Sequence, residues 1–487
     1  MSGSIKKNFL MNSLLTLSSF IYPIITFPYV SRILLPTGTG KVAFATSFVS
    51  YFLMLSQLGI PTYGIRACAK VSDDRVKLSR VVHELFTINL FMSFISYGGL
   101  AICIAYFPKI NLEKNLIIII SSSILLNTIG IEWLYKGLEL YSYITLRSVV
   151  FKIIALIGMF LIVHKEQDYV IYGGITVFAS SASFVLNFIN SKKYVLWKNV
   201  GGYSLKQHYK IILVFFAMAC ATTVYTNLDA VMLGFMTTDA DVGFYNAAVK
   251  IKTILVALVS SLGAVLLPRS SYLVENSQMQ EFKTISKKAI QFVLLVSMPL
   301  TVFFMIFAPE GIRFLSGESY NNSIIPMIII MPSIIFIGLS NILGIQVLVP
   351  LGREKIVLKS VIVGAVVDLI LNTLFIPLYK SSGAAIGTLL AEFCVLLVQY
   401  LALRDEMRGI IMEFPWIDIV LGIMSGSALC FGIKMLDLRS FYVLMLGTIV
   451  FFASYFVGLL FRKNEIVLNM MNSLLSMINN IQGAKHK

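Results

Sequence analysis

FPYVSRILLPTGTGKVAFATSFVSYFLMLSQLGIPTYGIRACAK, residues 27–70, holds the fold in miniature. An apolar run ends at Arg32, a short segment with Pro36, Gly38 and Gly40 follows, and a second apolar run over 42–60 leads into a connection rich in Lys and Arg. A run of about 20 apolar residues is long enough to cross a ~30 Å hydrocarbon core as a helix. Two such runs joined by a few residues predict a helical hairpin in the membrane, where backbone polar groups must be satisfied internally.

Outward from this stretch the pattern repeats to both ends of the chain. Fourteen apolar stretches are read, at about 9–31, 42–60, 83–106, 115–135, 144–163, 170–190, 211–235, 243–267, 289–308, 324–349, 360–377, 384–403, 417–436 and 441–461. Their connections alternate in charge. Those on the side of the N-terminus carry 26 of the 39 Lys and Arg, the opposite ones carry 8, and five lie inside stretches. Short loops rich in Lys and Arg stay cytoplasmic, so both termini are expected in the cytoplasm. The longest connections, 191–210 and 268–288, are too short to form a soluble domain.

Composition agrees. Hydrophobic residues make up 57% and charged residues 13%, against roughly 25% charged in soluble domains. The net charge of +15 lies beside the spans. It reads as topology determinants facing anionic lipid, and no nucleic-acid partner is expected. Lys6 and Lys7 precede the first run, but no small-x-small cleavage site follows, so that run reads as a retained helix rather than a leader. The five cysteines include no C-x-x-C pair, and four of them lie in spans, which favours packing over disulfide or metal chemistry.

The chain also resembles itself. At an offset of 203, Tyr22 meets Tyr225, Gly40 meets Gly243, Ala45 meets Ala248 and Arg66 meets Arg269. ITLRSVV (144–150) meets IVLKSVI (356–362), and Ala182-Ser-Phe184 meets Ala391-Glu-Phe393. Units of six helices each enter from the same side, which is a parallel repeat about an axis along the membrane normal. The expected fold is therefore all-α and polytopic, with about fourteen transmembrane helices. Residues 1–200 and 201–408 form the two six-helix lobes, and 409–487 form an appended helix pair with a tail. In that tail, 464–482 places Val467, Met470, Met471, Leu474, Leu475, Ile478 and Ile481 on one face, as in a helix lying on the cytoplasmic surface.

Enzyme chemistry is not legible. PTGTGKV (36–42) lacks the spacing and the Ser/Thr of a phosphate-binding loop, and its glycines are expected to shape a tight turn. Asp239-Ala-Asp241 has the form of a metal-binding motif of sugar transferases, but it falls in a very short outer turn. Charges inside the spans are more informative, because such residues are costly in lipid and mark pathways or pairs. The cations are Arg32, Arg66, Lys250 and Lys252, with Lys152 in the middle of a span; the acids are Glu132, Asp229, Asp368 and Glu392. Folding the hairpin about its turn places Asp229 and Lys250 at similar depth. Asp229 therefore either neutralises Lys250 or joins Asn372 and Thr388, with Asp368 one turn deeper, as oxygen ligands for a cation. Lys152 and Glu392 lie near mid-depth, with nothing in the sequence to show that they touch.

Residues 27–70 resemble the opening signature of the bacterial polysaccharide-unit flippases called Wzx, in the multidrug/oligosaccharidyl-lipid/polysaccharide exporter superfamily. NLDAVMLGFMTTDADVGFYNAAVKIKTILVALVSSLGAVLLPR (227–269) is similar to the start of that family's second half, and NTLFIPLYKSSGAAIGTLLAE (372–392) to a third segment. The resemblance implies MATE-like lobes around a central cavity and no enzymatic activity. It implies transfer of an undecaprenyl-pyrophosphate-linked oligosaccharide from the cytoplasmic to the outer leaflet of the bacterial cell membrane, with a polysaccharide polymerase and assembly proteins as partners. By analogy Arg32, Arg66, Lys250 and Lys252 become headgroup ligands. Asp229, Asp368, Asn372 and Thr388 become ligands of a coupling sodium or the site of a coupling proton; no other cofactor is implied. Tyr22, Tyr225 and Tyr245 are candidates for sugar contact, against the usual role of membrane aromatics in packing or anchoring. The alternatives are a drug/cation antiporter or a lipid II-type flippase of the same superfamily. The antiporters commonly carry an acid in span 1, and span 1 here has none.

Overall fold

The computed structural model describes residues 5–404, 414–436, 438–464, 467 and 468. Among these every regular element is helical and no strand occurs. Each of the fourteen predicted stretches falls on helix. By length and composition, eleven helices are able to cross a membrane, or twelve if one bent pair forms a single span.

The difference between eleven or twelve and fourteen has local causes. One continuous segment, Leu10–Ala69, takes in two predicted stretches. Helix α1 (Ile5–Gln57) passes through Leu35 at φ 56 and ψ 177, a break that separates its two halves, and α2 (Ile60–Ala69) follows after Gly59. Pro36 opens the second half, where a missing N–H costs nothing. The chain therefore turns at Leu35 and not at the glycines. Helix α3 (Arg75–Tyr106) starts at Asp74, whose carboxylate accepts from the backbone N–H groups of Val76 and Lys77. Helix α4 (Lys114–Gly130) is short because Ile131 adopts φ 33, and Glu132–Gly137 continues beyond it. The bent pair is Glu318–Ile330 and Ser333–Leu348, which meet at 48° beside Pro332.

The other long helices are α5 (Tyr141–Ile162), α6 (Lys206–Met236), α7 (Asp239–Glu275), α8 (Met279–Ile306), α9 (Glu354–Tyr379), α10 (Ser381–Ala402), α11 (Trp416–Lys434) and α12 (Ser440–Phe461). They divide into two compact units. The first holds Met1–Asn246 and Asn372–Ala384; the second holds Ala247–Leu371 and Ala385–Lys487.

The first unit is built on two large apolar clusters. One gathers Tyr63, Leu85, Trp133, Tyr135 and Ile212, and the other Val42, Val49, Leu116, Ile117, Ile124 and Val231. In the second unit, a Cβ on Gly338 would meet Val259 and Val293 side chains at 2.7 and 2.8 Å, so glycine lets three helices close together. The hairpin α11–α12 docks on α8, with Tyr455 Oη donating to the Leu295 carbonyl at 2.9 Å and Lys434 donating to the Ile306 carbonyl at 2.6 Å. The predicted surface helix 464–482 lies, beyond its first residues, outside the described residues.

Candidate functional site

Asp229 sits two turns before the end of α6, and the chain reverses through Thr237 into α7. That reversal returns Tyr245 beside Asp229, and the Tyr245 hydroxyl donates to Oδ2 of the carboxylate. From α9, the Asn372 amide donates to Oδ1 at 2.7 Å. Asp229, Tyr245 and Asn372 are all buried. The carboxylate fixes the orientation of the Asn372 amide, so Oδ1 of Asn372 is left buried without a hydrogen-bond partner among the described residues. A buried carbonyl oxygen beside a carboxylate is a hard-oxygen pair of the kind that suits a sodium ion or a proton. Asp368 and Thr388, also buried, belong to the second unit.

The predicted headgroup cations are dispersed. Arg32 is exposed and donates to the Pro28 carbonyl one turn back, and Arg66 is exposed in the last turn of α2. Lys250 and Lys252 are half-buried in the second unit. Lys250 has no hydrogen-bond or ion-pair partner among the described residues, while Asp229 is engaged by Tyr245 and Asn372. Glu132 instead forms a local network with Lys136 at 2.7 Å and Arg147 at 3.1 Å.

Below the α6–α7 turn the two signature hairpins of the sequence meet backbone to backbone. A Cβ on Gly40 would stand 1.8 Å from the Asp239 carbonyl oxygen, and one on Gly243 would stand 2.0 Å from that of Pro36. Only glycine permits this approach. The two positions are the pair matched by the internal offset. The acids of the Asp239-Ala-Asp241 motif are occupied here: Asp239 pairs with Lys109 at 2.8 Å, and Asp241 caps α7 through the Thr238 hydroxyl at 2.7 Å. Beside them Lys41 pairs with Glu113 at 2.6 Å, and Tyr169 donates to the same carboxylate at 2.9 Å.

At the other end of these helices lies a network that the sequence reading missed. Glu84 of α3, which is buried, accepts from the Ser204 backbone N–H, from Gln207 at 3.1 Å and from His208 Nε2 at 2.7 Å. Tyr63 Oη lies 2.7 Å from His208 Nδ1. With Glu84 ionised, Nε2–H donates and Nδ1 accepts from the tyrosine, which satisfies a neutral imidazole at both nitrogens. The segment 191–210 is further tied to α3 by Leu196 N–H to Ser79 at 2.8 Å and by Arg80 to the Gly201 carbonyl at 2.9 Å. The signal available was a lone Glu inside an apolar helix; the histidines looked scattered because their partners are distant in sequence.

The family model described as "Polysaccharide biosynthesis protein" matches residues 5–274. The chain is 26% identical over 402 residues to the "Putative O-antigen transporter" of Escherichia coli (strain K12), covering 80% of this chain and 94% of that one. Its fold is similar to that of the lipid II flippase MurJ in an inward closed conformation, with TM-score 0.63 and 17% identity over 93% of this chain and 99% of the other. It is also similar to an inward-facing multidrug resistance MATE family transporter of the MOP superfamily, with TM-score 0.62 and 13% identity over 83% and 99%.

Proposed function

The chain belongs to the polysaccharide biosynthesis protein family, and from that membership we propose that it is a flippase. It moves an undecaprenyl-pyrophosphate-linked oligosaccharide repeat unit from the cytoplasmic to the outer leaflet, for assembly of a cell-surface polysaccharide. The observation that carries the reading is the similarity to an O-antigen transporter over 94% of that protein's length, joined to a transporter fold.

In this reading all fourteen helical stretches cross the bacterial cell membrane, both termini are cytoplasmic, and the first twelve form two parallel six-helix repeats. Parallel-repeat transporters alternate access by rocking one half against the other. The contact of Gly40 with the Asp239 backbone is then the closed outer side. Arg32, Arg66, Lys250 and Lys252 receive the pyrophosphate, which needs several cations or donors to leave water. A sodium ion or proton couples at Asp229 and Asn372, with Asp368 and Thr388 as further oxygen donors. When bound, that cation supplies positive charge beside Asp229; Asn372 and Tyr245 hold the carboxylate in place. A polymerase on the outer side consumes the product.

The test is reconstitution of the full chain in vesicles with a polyprenyl-diphosphate-linked oligosaccharide, with and without sodium and proton gradients. Transport that depends on the protein and accelerates in a gradient is the expected result. Asp229→Asn keeps the shape of the site and removes its charge, so basal movement is expected to persist while gradient acceleration is lost. Oligosaccharide movement no faster than in empty vesicles overturns the flippase reading, and acceleration retained by Asp229→Asn removes Asp229 as the coupling group.

A further inference from the structure

Lys152 stands at the middle of α5, in a span, and no role given above uses it. Its ammonium donates to Ser18 Oγ at 2.9 Å and to Ser19 Oγ at 2.8 Å, both on α1. Each serine hydroxyl donates its own proton to the Leu15 carbonyl, so each meets Lys152 through a lone pair. Two neutral oxygens thus contact the amine; among the described residues no carboxylate stands within ion-pair distance of it, and Glu132 attracts it only from farther away. Arg147, five residues earlier on the same helix, shows the contrast, since it is paired with Glu132 at 3.1 Å. An unpaired cation in a span is retained against its cost where it borders water or meets an anion.

The surface of α1 says which path it borders. Leu10, Leu14, Leu17 and Ile21 are exposed, at 57, 44, 54 and 50%, and form an apolar stripe. Asn12, Thr16 and Ser19 are exposed as well. At about 100° per residue these two sets fall on nearly opposite sides of the helix. One side suits lipid; the other is a polar strip suited to water or a polar ligand. Ser19 belongs to the polar strip, so the Lys152 charge lies at its edge, with one of three N–H donors uncommitted.

We propose that Lys152, with Ser18 and Ser19, forms a mid-membrane seat for the diphosphate of the lipid-linked substrate. This rests on the flippase reading. Arg32 lies 13 residues farther along α1, about 20 Å at 1.5 Å per residue, so the seat is a separate station on the path. The ammonium supplies charge and a donor to a phosphate oxygen, and rotation of either serine hydroxyl adds a second donor.

The test uses the purified full chain in nanodiscs with undecaprenyl diphosphate as the probe and phosphatidylglycerol as the competing lipid phosphate. Lys152→Met is expected to weaken undecaprenyl diphosphate binding about tenfold or more, the scale of losing a hydrogen bond to a charged group, while Lys152→Arg stays within about threefold of the parent because charge and donors remain. Phosphatidylglycerol binding is expected not to change. Without ligand, Lys152→Met is expected to unfold at a temperature no lower than the parent, because no ion pair is broken. Unchanged diphosphate binding by Lys152→Met overturns the seat. Equal loss of phosphatidylglycerol assigns the group to bulk lipid and overturns it too. Ligand-free unfolding of Lys152→Met well below the parent makes the lysine a structural strut. A parent chain that binds no undecaprenyl diphosphate overturns the flippase reading and the seat together, whereas a binding parent with an unaffected Met variant overturns the seat alone.

Discussion

Gly40 and Gly243 carry the sharpest single-residue consequence in the chain. Each occupies a place where another hairpin's carbonyl oxygen already stands within 2.0 Å of a built Cβ. A backbone carbonyl has no rotamer to move, so one methyl must separate the hairpins or distort them. Gly40→Ala and Gly243→Ala are therefore expected to abolish transport while leaving membrane insertion intact, since the spans themselves keep their hydrophobicity. Gly98, with nothing within 4 Å of its built Cβ, is the control, and Gly98→Ala should transport at the parent rate. Transport by both hairpin variants at the parent rate in the vesicle assay would show that closure at this point is dispensable. The matched offset marked these two glycines as equivalent, but the sequence reading gave Gly40 a turn-making role. The turn is made at Leu35, and the glycines serve close approach instead.

At the scale of elements, the helices were legible because a bilayer leaves the backbone few alternatives. Their breaks were less so. Leu35, Ile131 and the bend at Pro332 interrupt helices within apolar sequence, and only the proline announces itself. The strap from 191–210 to α3 shows the same limit. Its anchor, Glu84, takes three donors from a segment 120 or more residues away. Glu84→Ala leaves those donors and the His208–Tyr63 pair without their acceptor, and loss of one partner of such a buried charged cluster costs about 3–5 kcal/mol. The expected readout is a clearly lowered unfolding temperature in detergent, with Glu84→Gln falling between Ala and parent because it still accepts. An unfolding temperature for Glu84→Ala equal to the parent's would mean that 191–210 contributes nothing to the stability of the first unit.

For the whole molecule the testable statement is orientation. The 26-to-8 division of Lys and Arg between alternate connections predicts which surfaces face outward. In a chain whose five native cysteines are replaced, Leu112→Cys, at an exposed position in one sparse connection, is expected to react with an impermeant thiol reagent from outside intact cells. Ser204→Cys, in a basic connection, is expected to react only after the membrane is opened. The reverse pattern would invert the topology and, with it, the direction proposed for transport.

The sequence by itself determined the helical class, the positions of the apolar stretches and the family, because hydrophobic length, charge alternation and local motifs are properties of short contiguous segments. It also supplied most of the charges inside the spans, though not Glu84 or Arg147. It left open which groups hold the Asp229 carboxylate, what contacts Lys152, and why Glu84 is tolerated in an apolar helix. Tertiary structure decided these, giving Asp229 to Tyr245 and Asn372, Lys152 to two serines of α1, and Glu84 to His208 and the strap. The physical reason is that a polar group in a low-dielectric interior is governed by what lies within about 3 Å of it, and neighbours at that range come from helices whose separation in sequence carries no record of their contact.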